Sequence, residues 1–158
     1  MSTHTHHRLD ETRLLLIEKV LLLKSLSIFA ETPENVLAEV AEILEEEDRA
    51  AGELIFNDGE VAHCMYIIFK GEVRIHKDGH TLAVLKENDF FGELSLLDTE
   101  TRSASASTNT ETLLLKIDQE PFYEIMESRV EVARGIIKTL CKRLRAQNQK
   151  SLQVQAAK

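Results

Sequence analysis

Residues 65–85 have the sequence MYIIFKGEVRIHKDGHTLAVL, which contains three short runs rich in aliphatic and β-branched residues. Gly71 separates the first run from the second, and Asp78-Gly79 separates the second from the third. Asp-Gly between two such runs is a strong signal for a tight β-hairpin, because both residues tolerate positive φ. Gly71 stands where one strand must turn into the next, which also favours a positive φ. The stretch therefore predicts consecutive antiparallel strands.

Further runs of the same kind lie on both sides of this stretch. Glycine, asparagine and aspartate separate the runs, which are Leu54–Phe56, Met65–Phe69, Val73–Ile75, Leu82–Leu85 and Leu113–Ile117. Short strands that recur about every 8–12 residues are typical of a β-barrel or a β-sandwich. We expect this β region to cover about residues 49–117.

Segments with helical spacing flank the β region. Residues 9–24 are so rich in leucine that the predicted helix must be covered by the domain or by a partner chain. Thr32 and Pro33 predict the N-cap and first turn of a second helix, which the acidic run Glu45–Asp48 is expected to end. Asp118 is a candidate N-cap after the β region. A last helix at about 129–148 places apolar residues at four-residue steps, at Val132, Ile136, Leu140 and Leu144.

The order of helices, strands and helices predicts an α+β fold built around one antiparallel barrel-like unit. We expect a tail and an apolar helix at residues 1–24 and one domain at residues 25–148. Within that domain, the C-terminal helices would take residues 118–148. The polar residues 149–158 are expected to form a fraying tail.

The charge of the chain is unevenly distributed. The formal net charge is −8, yet residues 129–158 contain eight Lys or Arg and one Glu. The remaining residues therefore carry 11 basic and 26 acidic side chains, which makes the body a poor nucleic-acid binder. We expect no DNA binding. The basic C-terminal segment is either a solvated helix face or a surface for an acidic partner.

Cysteine and hydropathy patterns point to a cytoplasmic protein. Cys64 and Cys141 are far apart and fit no metal or redox motif, so both are expected to be small core residues in a reducing compartment. The apolar patch Leu14–Leu23 contains Glu18-Lys19 and falls short of the roughly 18–20 residues that a membrane span needs. The chain begins without a signal-peptide pattern. His4, His6 and His7 lie in a polar tail without a completing carboxylate or Cys, so no metal is expected there.

The stretch FGELSLLDTETRSA, at residues 91–104, is the candidate site. Gly92 can open a short helical turn whose first N–H groups favour an anion, and the planar fork of Arg102 suits a phosphate. Glu93 would repel a phosphate, but it fits a ligand that also carries hydroxyl groups, since a buried acceptor discriminates against a ligand lacking them. The alternative interpretation is a surface turn with a Glu93–Arg102 salt bridge.

These residues resemble the phosphate-binding cassette of cyclic nucleotide-binding domains, and the resemblance covers about residues 25–145. It implies an eight-stranded β-roll with flanking N-terminal helices and a C-terminal lid helix pair, and a ligand that is cAMP or cGMP. Glu93 would then accept from the ribose 2′-hydroxyl and Arg102 would bind the cyclic phosphate. The resemblance also places in the site the backbone amides of Gly92, Leu94 and Ser95, and the residues Phe91, Ser103 and Ala104. Candidates for contacting the base are Arg134, Ile137 and Lys138.

The resemblance implies a regulatory domain without catalysis, with no cofactor besides its ligand, that switches an effector through its C-terminal helices. The effector, fused or associated, would meet the helices at 9–24 and 129–148, and could be part of a membrane-associated system. One alternative is a degenerate domain that serves for docking or for homodimerisation through the same helices. A cupin-type metalloenzyme is disfavoured, because His63, His76 and His80 are scattered along the chain.

Overall fold

The computed structural model describes residues 14–156, in which helices precede and follow a set of antiparallel strands. The helices are α1 (Leu16–Ser25), a short 3₁₀ helix (Ser27–Phe29), α2 (Glu34–Glu42), α3 (Glu93–Leu97), α4 (Gln119–Ser128) and α5 (Val130–Ala156). The strands are β1 (Glu45–Arg49), β2 (Leu54–Phe56), β3 (Val61–Ala62), β4 (Cys64–Lys70), β5 (Val73–Lys77), β6 (His80–Leu85), β7 (Phe90–Phe91), β8 (Glu100–Thr101), β9 (Ser105–Thr108) and β10 (Thr112–Asp118).

Eight of these strands form two four-stranded antiparallel sheets, which confirms the predicted α+β fold with its eight-stranded roll. The strand orders are β1-β10-β4-β7 and β2-β9-β5-β6, and β3 and β8 pair as a separate two-stranded ribbon. The predicted hairpin is present: β5 and β6 are joined at Asp78-Gly79, and both residues have positive φ. The five runs identified from the sequence correspond to β2, β4, β5, β6 and β10, so the other five strands are additions to the predicted set.

Strand β4, inside the first sheet, is buried on both faces, which explains why Met65–Phe69 is continuously apolar instead of alternating. Tyr66 and Ile68 of β4 point into a cluster between the sheets that also includes Val73 and Ala106. The neighbouring residues Met65 and Ile67 point to the opposite face and pack in a larger cluster with the helices. That cluster brings the 3₁₀ helix against α4, where the rings of Phe29 and Phe122 meet edge to face with centroids 6.0 Å apart. The helices therefore rest directly on the roll.

The acidic run Glu45–Asp48 is part of strand β1, so the prediction that it ends the second helix was wrong and the β region begins before residue 49. β1 pairs with β10 at the edge of the first sheet. An edge strand tolerates charged side chains, and cations lie nearby. Arg49 Nη2 lies 2.8 Å from Glu47 Oε2, and Lys19 Nζ lies 3.5 Å from Glu46 Oε1.

The predicted capping role of Thr32 was also wrong. α2 begins at Glu34 with Pro33 at its N-cap position, and the carbonyl of Pro33 accepts from the amides of Val36 and Leu37. The hydroxyl of Thr32 is buried without a hydrogen-bond partner among the described residues. It packs instead against α5, where a Cβ on Gly135 would lie 2.7 Å from Thr32 Oγ1. This close approach sets how tightly α5 docks on the N-terminal helices.

The last helix differs from its prediction in length and burial. α5 continues to Ala156, so most of the expected polar tail at 149–158 is helical. Its first half is buried at Val132 and Ile136, whereas Leu140 and Leu144 are exposed. Cys141 is exposed too, contrary to its expected place in the core, because it lies outside the face that docks on the domain.

Some predictions fall on residues outside the described range. They are the first part of the helix expected at 9–24 and the histidine tail with His4, His6 and His7. No helix within residues 14–156 is long and apolar enough to cross a membrane.

Candidate ligand-binding site

A cavity of about 310 Å³ lies where α3 follows β7. All eight residues that the sequence assigned to the site line it, namely Phe91, Gly92, Glu93, Leu94, Ser95, Arg102, Ser103 and Ala104. The structure therefore brings the two ends of the stretch at residues 91–104 together. The role of each residue toward a ligand stays a prediction.

Gly92 is the N-cap residue of α3 and has a φ of 80°. A side chain there would be strained by that backbone conformation, since only glycine adopts it readily. It would also collide with Nη1 of Arg102 and approach the carbonyl oxygen of Cys64 to 3.2 Å. Glycine is thus required both for the turn and for the close approach of Arg102.

Arg102 follows strand β8, and its backbone is fixed by two hydrogen bonds. Its amide donates to the carbonyl of Glu60 over 2.7 Å, and its carbonyl accepts from the amide of Gly59 over 2.8 Å. The guanidinium donates to the carbonyl of Cys64 over 3.0 Å and, more weakly, to Ser95 Oγ over 3.4 Å. It also stacks on the ring of Phe56 at 4.1 Å from the centroid.

The guanidinium of Arg102 is a buried cation. The residue is only 8% exposed, and among residues 14–156 no carboxylate oxygen lies within 4.0 Å of it. The thiol of Cys64 does not supply the missing negative charge, because burial raises its pKa and keeps it neutral. A buried charge without a counter-ion is costly, so this arrangement favours an anion in the cavity. The contacts above use only part of the five N–H donors of a guanidinium, so donors remain for that anion.

Glu93 is held by Arg143, which the sequence did not single out. Nη1 of Arg143 donates to one carboxylate oxygen over 2.8 Å, and Nη2 donates to the other over 3.3 Å. The surface-turn interpretation paired Glu93 with Arg102, but the structure pairs it with an arginine of α5. The three α5 residues proposed for base contact, Arg134, Ile137 and Lys138, are exposed and do not line the cavity.

Four further residues line the cavity and were not predicted: Phe56, Ile75, Glu100 and Thr101. Phe56 and Ile75 lie in runs that were recognised as strands, but alternation alone does not say which face meets the cavity. Glu100 lies on β8, between Glu93 and Arg102 in the chain. Its position on the cavity wall means that its charge opposes an anionic ligand directly.

The positions of the histidines bear on the metalloenzyme alternative. Within the part of the chain that the structure describes, no three His, Cys, Asp or Glu side chains are grouped so as to hold a metal ion. His76 instead shares a hydrogen bond of 2.8 Å with Ser107 on the neighbouring strand.

The roll, the short α3 and the buried Arg102 together form a cavity whose charge suits a small anionic ligand. The profile of the family described as "Cyclic nucleotide-binding domain" matches residues 46–129, which is more than half of the chain. The protein belongs to this family.

Curated relatives include two kinds of regulator. A "CRP-like cAMP-activated global transcriptional regulator" of Mycobacterium tuberculosis is 30% identical over 132 residues, which are 80% of this chain and 59% of the regulator. A "cAMP-dependent protein kinase regulatory subunit" of Neurospora crassa is 29% identical over 127 residues, covering 79% of this chain and 31% of that subunit. The chain thus spans less than two thirds of the length of these relatives.

Solved structures with a similar fold come from the same two kinds of regulator. The N-terminal domain of a transcriptional regulator from Streptomyces coelicolor matches with a TM-score of 0.78 at 27% identity, covering 82% of this chain and 94% of that one. The regulatory domain of Toxoplasma gondii PKA, determined with cAMP, matches with a TM-score of 0.65 at 25% identity, covering 70% of this chain and 44% of that one.

Proposed function

We propose that this chain binds a cyclic nucleotide, cAMP or cGMP, and acts as a non-catalytic regulatory domain. The observation that carries the proposal is the guanidinium of Arg102, which is buried beside a cavity with no carboxylate partner within the described residues. A cyclic phosphate would supply the negative charge. Glu93, on the wall of the same cavity, would accept a hydrogen bond from the ribose hydroxyl.

The names of the relatives support a cyclic nucleotide as the ligand. The names of the M. tuberculosis regulator and of the N. crassa subunit both refer to cAMP, and the T. gondii domain was solved with it. We keep cGMP as an equal candidate, because the hydroxyl of Ser103 does not by itself distinguish the two bases. The proposal places the domain in the cytoplasm, since its two free cysteines suit a reducing compartment.

The regulatory part of the proposal rests on contacts between α3 and the C-terminal helices. Gln119 Nε2 donates to the carbonyl of Ser95 over 3.1 Å, and the hydroxyl of Tyr123 donates to the carbonyl of Leu97. Arg143 of α5 binds Glu93 on the same short helix. A ligand that moves α3 would therefore change the contacts that hold α4 and α5 in place. It shifts the position of these helices only to the extent that it binds the domain with different affinity before and after they move.

Hydrogen exchange with and without saturating cAMP tests the switch. We expect changed amide protection in α3 and, at the same time, in α4 and the first half of α5, because these segments share the contacts above. The edge strand β1, which does not line the cavity, is the internal control. Protection that changes around α3 alone, while α4 and α5 stay as they were, would contradict the regulatory role and leave ligand binding intact.

A second candidate function is homodimerisation through α5. Val130, Ile137 and Leu144 follow each other at seven-residue intervals and are 52%, 59% and 59% exposed. Every residue from 144 to 156 is exposed as well, although a free helix end of this length is marginal in water. Val130, Ile137 and Leu144 thus form an exposed apolar seam along α5. A second copy of α5 would cover this seam in the manner of a two-stranded coiled coil.

Sedimentation velocity tests this candidate. We expect a dimer that Ile137→Glu converts to a monomer, because the substitution puts a charge in the apolar seam. Lys138→Glu introduces the same side chain one position away, outside the seam, and should leave the dimer in place. A wild-type chain that remains monomeric at all concentrations would rule the dimer out.

A further inference from the structure

We propose that Glu100 is a specificity-determining residue whose carboxylate lowers the affinity of the cavity in proportion to the negative charge of the ligand. The site would thereby favour a singly charged phosphodiester over a doubly charged phosphomonoester. The inference rests on the proposed function and deepens it, because it names the chemical class of nucleotide that the site rejects. A cyclic nucleotide is a phosphodiester with one negative charge, whereas a phosphomonoester such as 5′-AMP carries a charge of about −1.5 to −2 at neutral pH.

The backbone brings Glu100 to the same cavity as the buried guanidinium. Strand β8 pairs with β3 so that Glu100 lies opposite Ala62, and Arg102 follows two residues later. Alternate residues of an extended chain point to the same side, and both Glu100 and Arg102 line the cavity. The amide of Arg102 donates to the carbonyl of Glu60 over 2.7 Å, which fixes the end of this strand. A phosphate bound to Arg102 would therefore lie in the field of Glu100.

The charged residues that line the cavity are matched to one negative charge. They are Arg102, Glu93 and Glu100. Glu93 already has a cationic partner, since Nη1 of Arg143 lies 2.8 Å from its carboxylate. Among residues 14–156, no Lys, Arg or His nitrogen lies within 4.0 Å of the carboxylate of Glu100. Arg102 can thus offset one phosphate charge, and a second charge meets Glu100 without a further cation among the described residues of the cavity wall.

The size of the effect depends on solvent. Glu100 is exposed, so water and salt weaken its interaction with a ligand. We expect it to lower the affinity by about two- to fourfold for each negative charge of the ligand. Because the Coulomb energy is proportional to the charge of the ligand, the factor for a dianion is the square of the factor for a monoanion. Glu100 would then add a preference of about two- to fourfold for the monoanion.

The test measures the affinity of the full chain for cAMP, and for 5′-AMP by displacement of bound cAMP, at about pH 8, where the monoester is doubly charged. Glu100→Gln should reduce the preference for cAMP over 5′-AMP by about two- to fourfold, and the charge reversal Glu100→Lys by about 4- to 16-fold. Glu111→Gln is the matched control and should keep the wild-type preference, because Glu111 is also exposed but does not line the cavity. At about 1 M salt, which screens charges beyond about 3 Å, both Glu100 variants should approach the wild type.

The outcomes separate the inference from the proposed function. A preference that is the same in the wild type and in both Glu100 variants overturns the inference alone. Affinities for cAMP and 5′-AMP that rise by the same factor also overturn it, because the removal of a steric obstacle would favour both ligands alike. If millimolar 5′-AMP displaces cAMP from neither the wild type nor Glu100→Lys, the charge of Glu100 is not what excludes the monoester, and the inference is wrong. Absence of cAMP binding to the wild type and to all variants overturns the proposed function, and the inference falls with it.

Discussion

Replacing Arg102 by lysine is expected to lower the affinity for cAMP and cGMP by about 10- to 100-fold, the effect of losing one hydrogen bond to a charged group. The guanidinium is positioned by Cys64, Ser95 and the ring of Phe56, and Arg102 lines the cavity. Lysine keeps the charge but cannot make two parallel hydrogen bonds to a phosphate or stack as a plane on Phe56. Titration calorimetry on the purified variant measures the change.

Because Arg102 is buried, a loss of affinity must be distinguished from a loss of fold. The unfolding transition of Arg102→Lys should be followed by circular dichroism in parallel. Arg49→Lys is the matched control, since Arg49 is partly buried and ion-paired but does not line the cavity. It should bind with wild-type affinity. Wild-type affinity in Arg102→Lys itself would show that Arg102 is not the phosphate ligand.

Gly71→Ala is expected to reduce the free energy of unfolding by at least about 2 kcal/mol, from backbone strain and overpacking together. Gly71 joins β4 of one sheet to β5 of the other and has a φ of 100°. A Cβ there would lie 2.6 Å from the carbonyl oxygen of Glu111 and 2.8 Å from the Cα of Thr112. Backbone atoms cannot move aside as a side chain can, so the connection between the sheets must shift. Urea denaturation at neutral pH measures the effect.

Gly79→Ala separates backbone strain from overpacking. Gly79 also has a positive φ, of 79°, but nothing lies within 4 Å of its Cβ position. Its replacement should lose only the backbone term, about 1–2 kcal/mol. The steric contribution at Gly71 is then the difference between the two variants. Equal losses would show that the contact with residues 111 and 112 is not tight.

The parts of the fold that were predicted from sequence depend on local chemistry. Asp78-Gly79 requires positive φ whatever surrounds it, and Gly92 opens α3 for the same reason. The sequence of Glu45–Asp48 has no such local signal. These residues form a strand because they pair with β10, and Lys19 of α1, Lys116 of β10 and the neighbouring Arg49 offset their charges.

In the site, too, features that depend on local sequence were predicted and contacts between distant residues were not. Residues 91–104 carry all of their candidate side chains within one short stretch, and the structure brings them to one cavity. The bond between Glu93 and Arg143 joins positions 50 residues apart. Helical spacing in α5 identifies the face containing Val132 and Ile136 as buried, but it does not say which basic residue at the margin of that face meets α3. Only the docking of α5 determines that.

We expect the cavity beside Arg102 to bind a cyclic nucleotide. Titration calorimetry of the wild-type chain with cAMP and with cGMP tests it most directly. Two temperatures should be used, so that a binding enthalpy near zero at one of them is not taken for absence of binding. We predict saturable binding of one nucleotide per chain that Arg102→Lys weakens. No binding of either nucleotide at millimolar concentration, at both temperatures, would contradict the account.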